Sequence, residues 1–163
     1  MIKTSVREEQ NDSPSPRIVT SSHLVSAKCK EMSEAEFGLV IAGNAYSRWM
    51  VRCMASAGVR DMAVVDVLVL HHVHHLNSEK RLGDICFVLN VEDTHVVSYA
   101  LKKLVALKLV KNVKRGKEVF YSMTAKGIQV CNRCYEIREV CLRLGFKGNN
   151  TEKILHDSAT LLP

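Results

Sequence analysis

Residues 80–117 read KRLGDICFVLNVEDTHVVSYALKKLVALKLVKNVKRGK, and the periodicities of this stretch decide the fold. From about Arg81, the residues Leu82, Ile85, Cys86 and Leu89 share one face of a short helix. Asn90-Val91 makes a turn, and a longer helix then spans about Glu92 to Leu107, with Val97, Leu101, Leu104 and Val105 facing inward. After it the period changes. Leu109 to Val113 and Lys117 to Met123 are rich in Val, Phe and Tyr, and Lys114-Arg115-Gly116 sits between them as a tight turn. That is a β-hairpin signal. Helix, turn, helix, hairpin is the order of a winged helix-turn-helix.

The same stretch carries the whole positive excess of the molecule. Lys80, Arg81, Lys102, Lys103, Lys108, Lys111, Lys114, Arg115 and Lys117 stand against Asp84, Glu92 and Asp93, a balance equal to the net charge of +6. The other 14 basic and 14 acidic side chains cancel. An even scatter would serve solubility alone, whereas a basic segment between neutral flanks is a footprint for a polyanion.

Double-stranded DNA is the polyanion that suits this geometry. Its major groove admits one α-helix, and a basic hairpin beside it can meet the backbone or enter the minor groove. With the apolar face of the longer helix turned inward, Thr94, His95, Ser98, Tyr99, Lys102 and Lys103 remain outward. The first four lie in the first two turns, the part that reads base edges, while Lys102 and Lys103 are placed to meet phosphate. Lys114, Arg115 and Lys117 at the hairpin tip complete the expected DNA-binding set. Glu92 and Asp93 suit the positive end of the helix dipole.

Outside this stretch the chain reads as helix. Ser33 and Glu36 have capping-box spacing and Met32 and Phe37 that of a hydrophobic staple, which predicts a long helix to about Ala57 with Gly58 at its end. Its apolar residues spread over more than one stripe, so it needs more than one packing partner. Asp61 is the expected cap of a helix to about Leu76; its Val-rich run would also suit a strand, but a dozen apolar residues without alternation favour helix. Thr124 is the expected cap of another helix to about Leu144, Gly145 to Asn150 breaks it, and a short helix covers about Thr151 to Leu161. In the helix after Thr124, one apolar stripe holds Ile128, Cys131, Tyr135 and Leu142, and another holds Val130, Cys134, Ile137, Cys141 and Leu144. Two apolar faces call for a core on one side and a partner on the other.

The predicted class is therefore mainly α, an α+β winged helix. Residues 1–30, with Ser13-Pro14-Ser15-Pro16, read as a flexible arm. Residues 31–60 and 124–163 form the helical dimerisation region and 61–123 the DNA-binding region of one intertwined domain. At 163 residues, 47% apolar, with three prolines and eight glycines, one compact core is ample. No run of about 18 apolar residues suggests a membrane span, and the N-terminus lacks the apolar segment of a signal peptide, so a cytoplasmic protein with six reduced cysteines is expected.

Two other clusters invite chemistry. His71, His72, His74 and His75 crowd one helix end, and His71 and His75 have the i, i+4 spacing suited to zinc or nickel, or simply pack. Cys131-Asn132-Arg133-Cys134 is a CxxC with no second pair, inside a helix where cysteine acts as a small hydrophobe. Arg133 and Arg138 beside it could lower a thiol pKa, which leaves thiol sensing as an alternative. No metal or cofactor is assigned. P-loop, GxGxxG, HExxH and GxSxG patterns are absent from the sequence, and no catalytic residue is nominated. The competing class is a winged-helix interaction module whose lysines meet an acidic protein.

From about residue 61 to 127 the chain resembles the MarR family of bacterial winged-helix transcription regulators. Leu101 to Val110 is similar to the family's "LxxL…GLV" at the end of the recognition helix, with Lys108 in place of the usual Gly. Val119 to Gly127 is similar to the wing strand running into "LTxKG", and Lys114-Arg115-Gly116 stands where the family often has Asp-Arg-Arg. The flanking long helices extend the likeness over most of residues 33–162. The resemblance implies a homodimer with interleaved terminal helices, binding a pseudo-palindromic operator with half-sites about one helical turn apart. It also implies an effector pocket between the dimer and DNA-binding parts, which Tyr46, Trp49 and Met50 would line.

Overall fold

The computed structural model describes residues 30–145. The expected arm and terminal helix, residues 1–29 and 146–163, lie outside them. The order is α1 (Lys30–Ser56), α2 (Val64–His74) with a 3-10 turn at His75–Asn77, β1 (Lys80–Arg81), α3 (Leu82–Val88), α4 (Thr94–Ala106), β2 (Val110–Arg115), β3 (Glu118–Met123) and α5 (Ala125–Gly145). This is a winged helix. The chain divides into two compact units at Gly43 and Asn44. Residues 30–43 of the first are the opening turns of α1, where Leu39, Val40 and Ile41 are exposed. Everything that follows belongs to the second.

Its core gathers Met54 of α1, Val67, Leu70 and Val73 of α2, Ile85 of α3, Val97, Leu101 and Leu104 of α4, and Cys131 and Cys134 of α5. The inward face of α4 is the one its periodicity predicts, with Ala100 buried as well and Val105 half-buried. Three helices close alike. Val59 N donates to Met54 O, Val91 N to Cys86 O and Leu109 N to Leu104 O, with Gly58, Asn90 and Lys108 at positive φ. These are Schellman closures, which satisfy carbonyls that each helix end would leave unpaired. Thr124 caps α5 as expected: its Oγ1 accepts from Gly127 N at 3.0 Å and donates to Lys108 O at 2.7 Å. Gly127 must be glycine because a Cβ there would lie 2.1 Å from the Leu109 carbonyl oxygen.

Four local expectations change. Ser33 lies inside α1, because the strong helix formers Lys30, Glu31 and Met32 carry the helix past it. Asp61 does not cap α2; Ala63 holds that position and Asp66 Oδ2 accepts its N–H at 2.8 Å. The hairpin turns one residue later than expected, at Gly116-Lys117, since Arg115 pairs with Glu118. Gly116 has φ +61 while Lys117 does not take a positive value, the pattern of a type II′ turn that keeps the strands' right-handed twist. Lys114 and Arg115 are therefore strand residues. Finally, β1 is unanticipated: Lys80 and Arg81 pair antiparallel with Tyr121 and Phe120, giving the order β1-β3-β2.

Candidate nucleic-acid interface

The Asp93 Oδ1 accepts the His95 N–H at 2.9 Å and starts α4. On its outward face Thr94, His95 and Lys102 are exposed, Ser98 is half-buried, and Tyr99 is 69% exposed. Lys102 Nζ lies 5.4 Å from the Tyr99 ring centroid, within cation–π range. None of the expected base-reading residues is spent on the core. The wing residues Lys114, Arg115 and Lys117 are exposed too.

Two expected phosphate contacts are already engaged. Lys103 Nζ donates to Asp66 Oδ2 at 2.6 Å and to the Asp61 carbonyl. Arg115 forms a bidentate pair with Glu79, at 2.7 and 2.9 Å, while its guanidinium carbon lies 5.2 Å from the Phe120 ring centroid. At the base of the wing, Arg81 bridges Asp84 (3.0 and 3.1 Å) and Glu118 (3.1 Å). Its hydrogen bonds hold the Asp84 carboxyl below the usual carboxylate range. Of the nine basic residues between Lys80 and Lys117, Lys80, Lys102, Lys108, Lys111, Lys114 and Lys117 have no carboxylate partner among the described residues. They are the charges available to a polyanion. Sequence reasoning missed Glu79, Glu118 and Phe120, whose roles depend on strand register; the i, i+3 spacing of Arg81 and Asp84 was the one signal on view.

The other clusters resolve differently. His71 and His74 stack against Tyr135, with ring centroids 5.6 and 5.8 Å apart. Burial, then Arg138, then His74 lower the His71 pKa to about 4, so its imidazole is neutral at pH 7. Among the described residues no group of three or more His, Cys, Asp or Glu is placed to hold a metal. Cys53, Cys131 and Cys134 are buried. Burial pushes the Cys131 thiol up to about 12 and raises Cys53 and Cys134 against the opposing effect of Arg138. Protonated, enclosed thiols are poor nucleophiles, which works against thiol sensing at the CxxC. Of the three pocket candidates Met50 is buried, whereas Tyr46 and Trp49 gather on Arg138. Tyr46 OH accepts from Arg138 Nη2 at 3.4 Å, and the guanidinium carbon lies 5.5 Å from Trp49 and 5.8 Å from Tyr135. Arg138 Nε is shielded from solvent and has no hydrogen-bond partner among the described residues.

Residues 62–127 match the family model of a winged helix DNA-binding domain. No curated protein matches the sequence. Among solved structures, a cysteine-to-serine mutant of MarR from E. coli is 16% identical with a TM-score of 0.63, covering 77% of this chain and 94% of that one. The transcriptional regulator BldR from Sulfolobus solfataricus is 17% identical with a TM-score of 0.63, covering 84% and 98%. The same MarR mutant complexed with operator DNA is 16% identical with a TM-score of 0.63, covering 85% and 100%. At these identities the likeness is one of fold.

Proposed function

We propose that this chain, a winged helix DNA-binding protein with the fold of the MarR regulators, is a sequence-specific transcription regulator acting as a homodimer on a pseudo-palindromic operator in the cytoplasm. One observation carries the reading: α4 offers Thr94, His95, Ser98 and Tyr99 outward beside Lys102, and the wing adds uncompensated lysines. In this reading α4 enters the major groove, its first two turns meet base edges, and Lys102, Lys114 and Lys117 meet phosphate. The helices α1 and α5 carry the two-fold. An effector, in the same reading, is an anion drawn to Arg138, whose guanidinium has aromatic faces around it and no carboxylate partner among the described residues.

Selection of bound fragments from random duplexes tests it. The expected result is a palindromic consensus bound with an affinity that falls steeply with salt, because each phosphate contact releases counterions. Salt-sensitive binding with no preferred fragment would instead favour a module that meets an acidic protein. Repeating the binding assay with small aromatic carboxylates, expected to release the operator, checks the effector.

A further inference from the structure

Asp66 is the one charged side chain buried among the described residues, at 4% exposure. A carboxylate so enclosed must be matched by a cation and by hydrogen-bond donors, or its desolvation is unanswered. Both are present on Oδ2: the Ala63 N–H at 2.8 Å and the Lys103 ammonium at 2.6 Å. The same ammonium also reaches the carbonyl of Asp61, a residue held at φ +60 in the connection between α1 and α2. Lys103 thus ties three pieces of chain together: the last turn of α4, the first turn of α2 and the segment leading into it.

Resting on the regulator reading above, we propose that Lys103 is a positioning residue for the DNA-reading helix and not a phosphate contact. Its ammonium, clamped by the Asp66 carboxylate and the Asp61 carbonyl, sets the angle at which α4 stands on α2. The lever is long. Thr94 lies nine residues before Lys103, about 13 Å along the helix at 1.5 Å per residue, so a 10° tilt about the clamp moves the reading end by about 2 Å. Base-edge hydrogen bonds tolerate only about 0.5 Å of misplacement. Phosphate contacts made by flexible lysines tolerate far more. The clamp therefore governs which sequence is bound more than whether DNA is bound.

Lys102, the exposed neighbour of Lys103, is the control. Affinity is measured across salt for the selected operator and for an unrelated duplex, using full-length wild-type, Lys103→Met, Lys103→Arg, Asp66→Asn and Lys102→Ala proteins, each checked for folding by circular dichroism and thermal unfolding. Lys103→Met is expected to weaken operator binding about tenfold, the discrimination worth of one good base contact, with binding to the unrelated duplex and the salt slope unchanged. Lys103→Arg, which keeps the charge, is expected to recover most of it. Asp66→Asn, too enclosed to touch DNA, should show the same selective loss, and combining it with Lys103→Met should add little. Lys102→Ala should weaken both duplexes equally and lower the slope by about one. Lys103→Met behaving like Lys102→Ala would overturn the proposal while leaving the regulator reading intact. Wild-type protein without any preferred duplex would sink both. Should Lys103→Met, which strands the Asp66 carboxylate, or Asp66→Asn fail to fold, the double variant Asp66→Asn/Lys103→Met, which removes both charges, decides together with Lys103→Arg.

Discussion

Arg115 shows how a residue nominated by its charge can rest in contacts that its position in the sequence does not reveal. Its bidentate pair with Glu79 and its seat over Phe120 stiffen the wing, and both compete with a phosphate for the guanidinium. An exposed ion pair of this kind contributes only about 0–1 kcal/mol, so DNA can displace Glu79 at small cost. Removing that competitor should therefore favour the complex. Glu79→Gln is expected to tighten binding several-fold on every sequence and to steepen the dependence of log K on log salt by about one contact. Affinities measured between low and moderate salt check this. An unchanged slope would mean that Arg115 stays on the wing and never reaches the backbone.

Among the elements, α4 shows most clearly what periodicity reveals and what it hides. Its inward face and the following change to strand were legible, because each leaves a mark within a few residues, whereas the helix expected from about Glu92 starts at Thr94 with Asp93 as its cap. The choice between Lys102 and Lys103 was not, since neighbours in sequence look alike while a turn of about 100° per residue sends only one toward α2. For the same reason β1 escaped notice: two residues have no period, and they become a strand only because β3 offers them an edge. Ser33 misled in the opposite way, carrying cap chemistry inside a run already committed to helix. The end of α4 offers a direct test of such local reasoning. Lys108 takes φ +61 at a position where Gly58 and Asn90 serve the equivalent closures of α1 and α3. A side chain with a Cβ is strained in this conformation by about 1 kcal/mol, and the Lys108 side chain has no hydrogen bond or ion pair among the described residues to offset it. Lys108→Gly should accordingly raise stability by about 1 kcal/mol, read as a higher Tm and a higher denaturant midpoint with unchanged m-value. A lower midpoint would mean that the added freedom of glycine in the unfolded chain outweighs the relieved strain.

At the level of the whole molecule, the unexplained property is apolar surface. On α5 the side chains of Tyr135, Val140, Leu142 and Leu144 are exposed, and on the first unit Leu39, Val40 and Ile41 are exposed as well. Scattered apolar residues need no explanation, but Tyr135 and Leu142 share one face of α5 while Val140 and Leu144 lie on the other side, so the end of the helix is left apolar on two faces, which water penalises. In the regulator reading proposed above, a second copy of the chain is the occupant, because one reading helix spans only a half-site. Two helices held about 34–36 Å apart bind successive major-groove faces together, and the second contact is made at high effective concentration. Placing a carboxylate on one of these faces separates these terms. Leu142→Glu is expected to shift the protein from twice the chain mass to a single chain in sedimentation velocity, with the winged helix still folded. Its operator affinity should then fall by about 100-fold or more, the usual scale of lost bivalency, while its affinity for a single half-site changes little. Wild-type protein that sediments as one chain at concentrations where it saturates a palindrome would remove the two-fold from the mechanism and leave the apolar faces of α5 to some other partner.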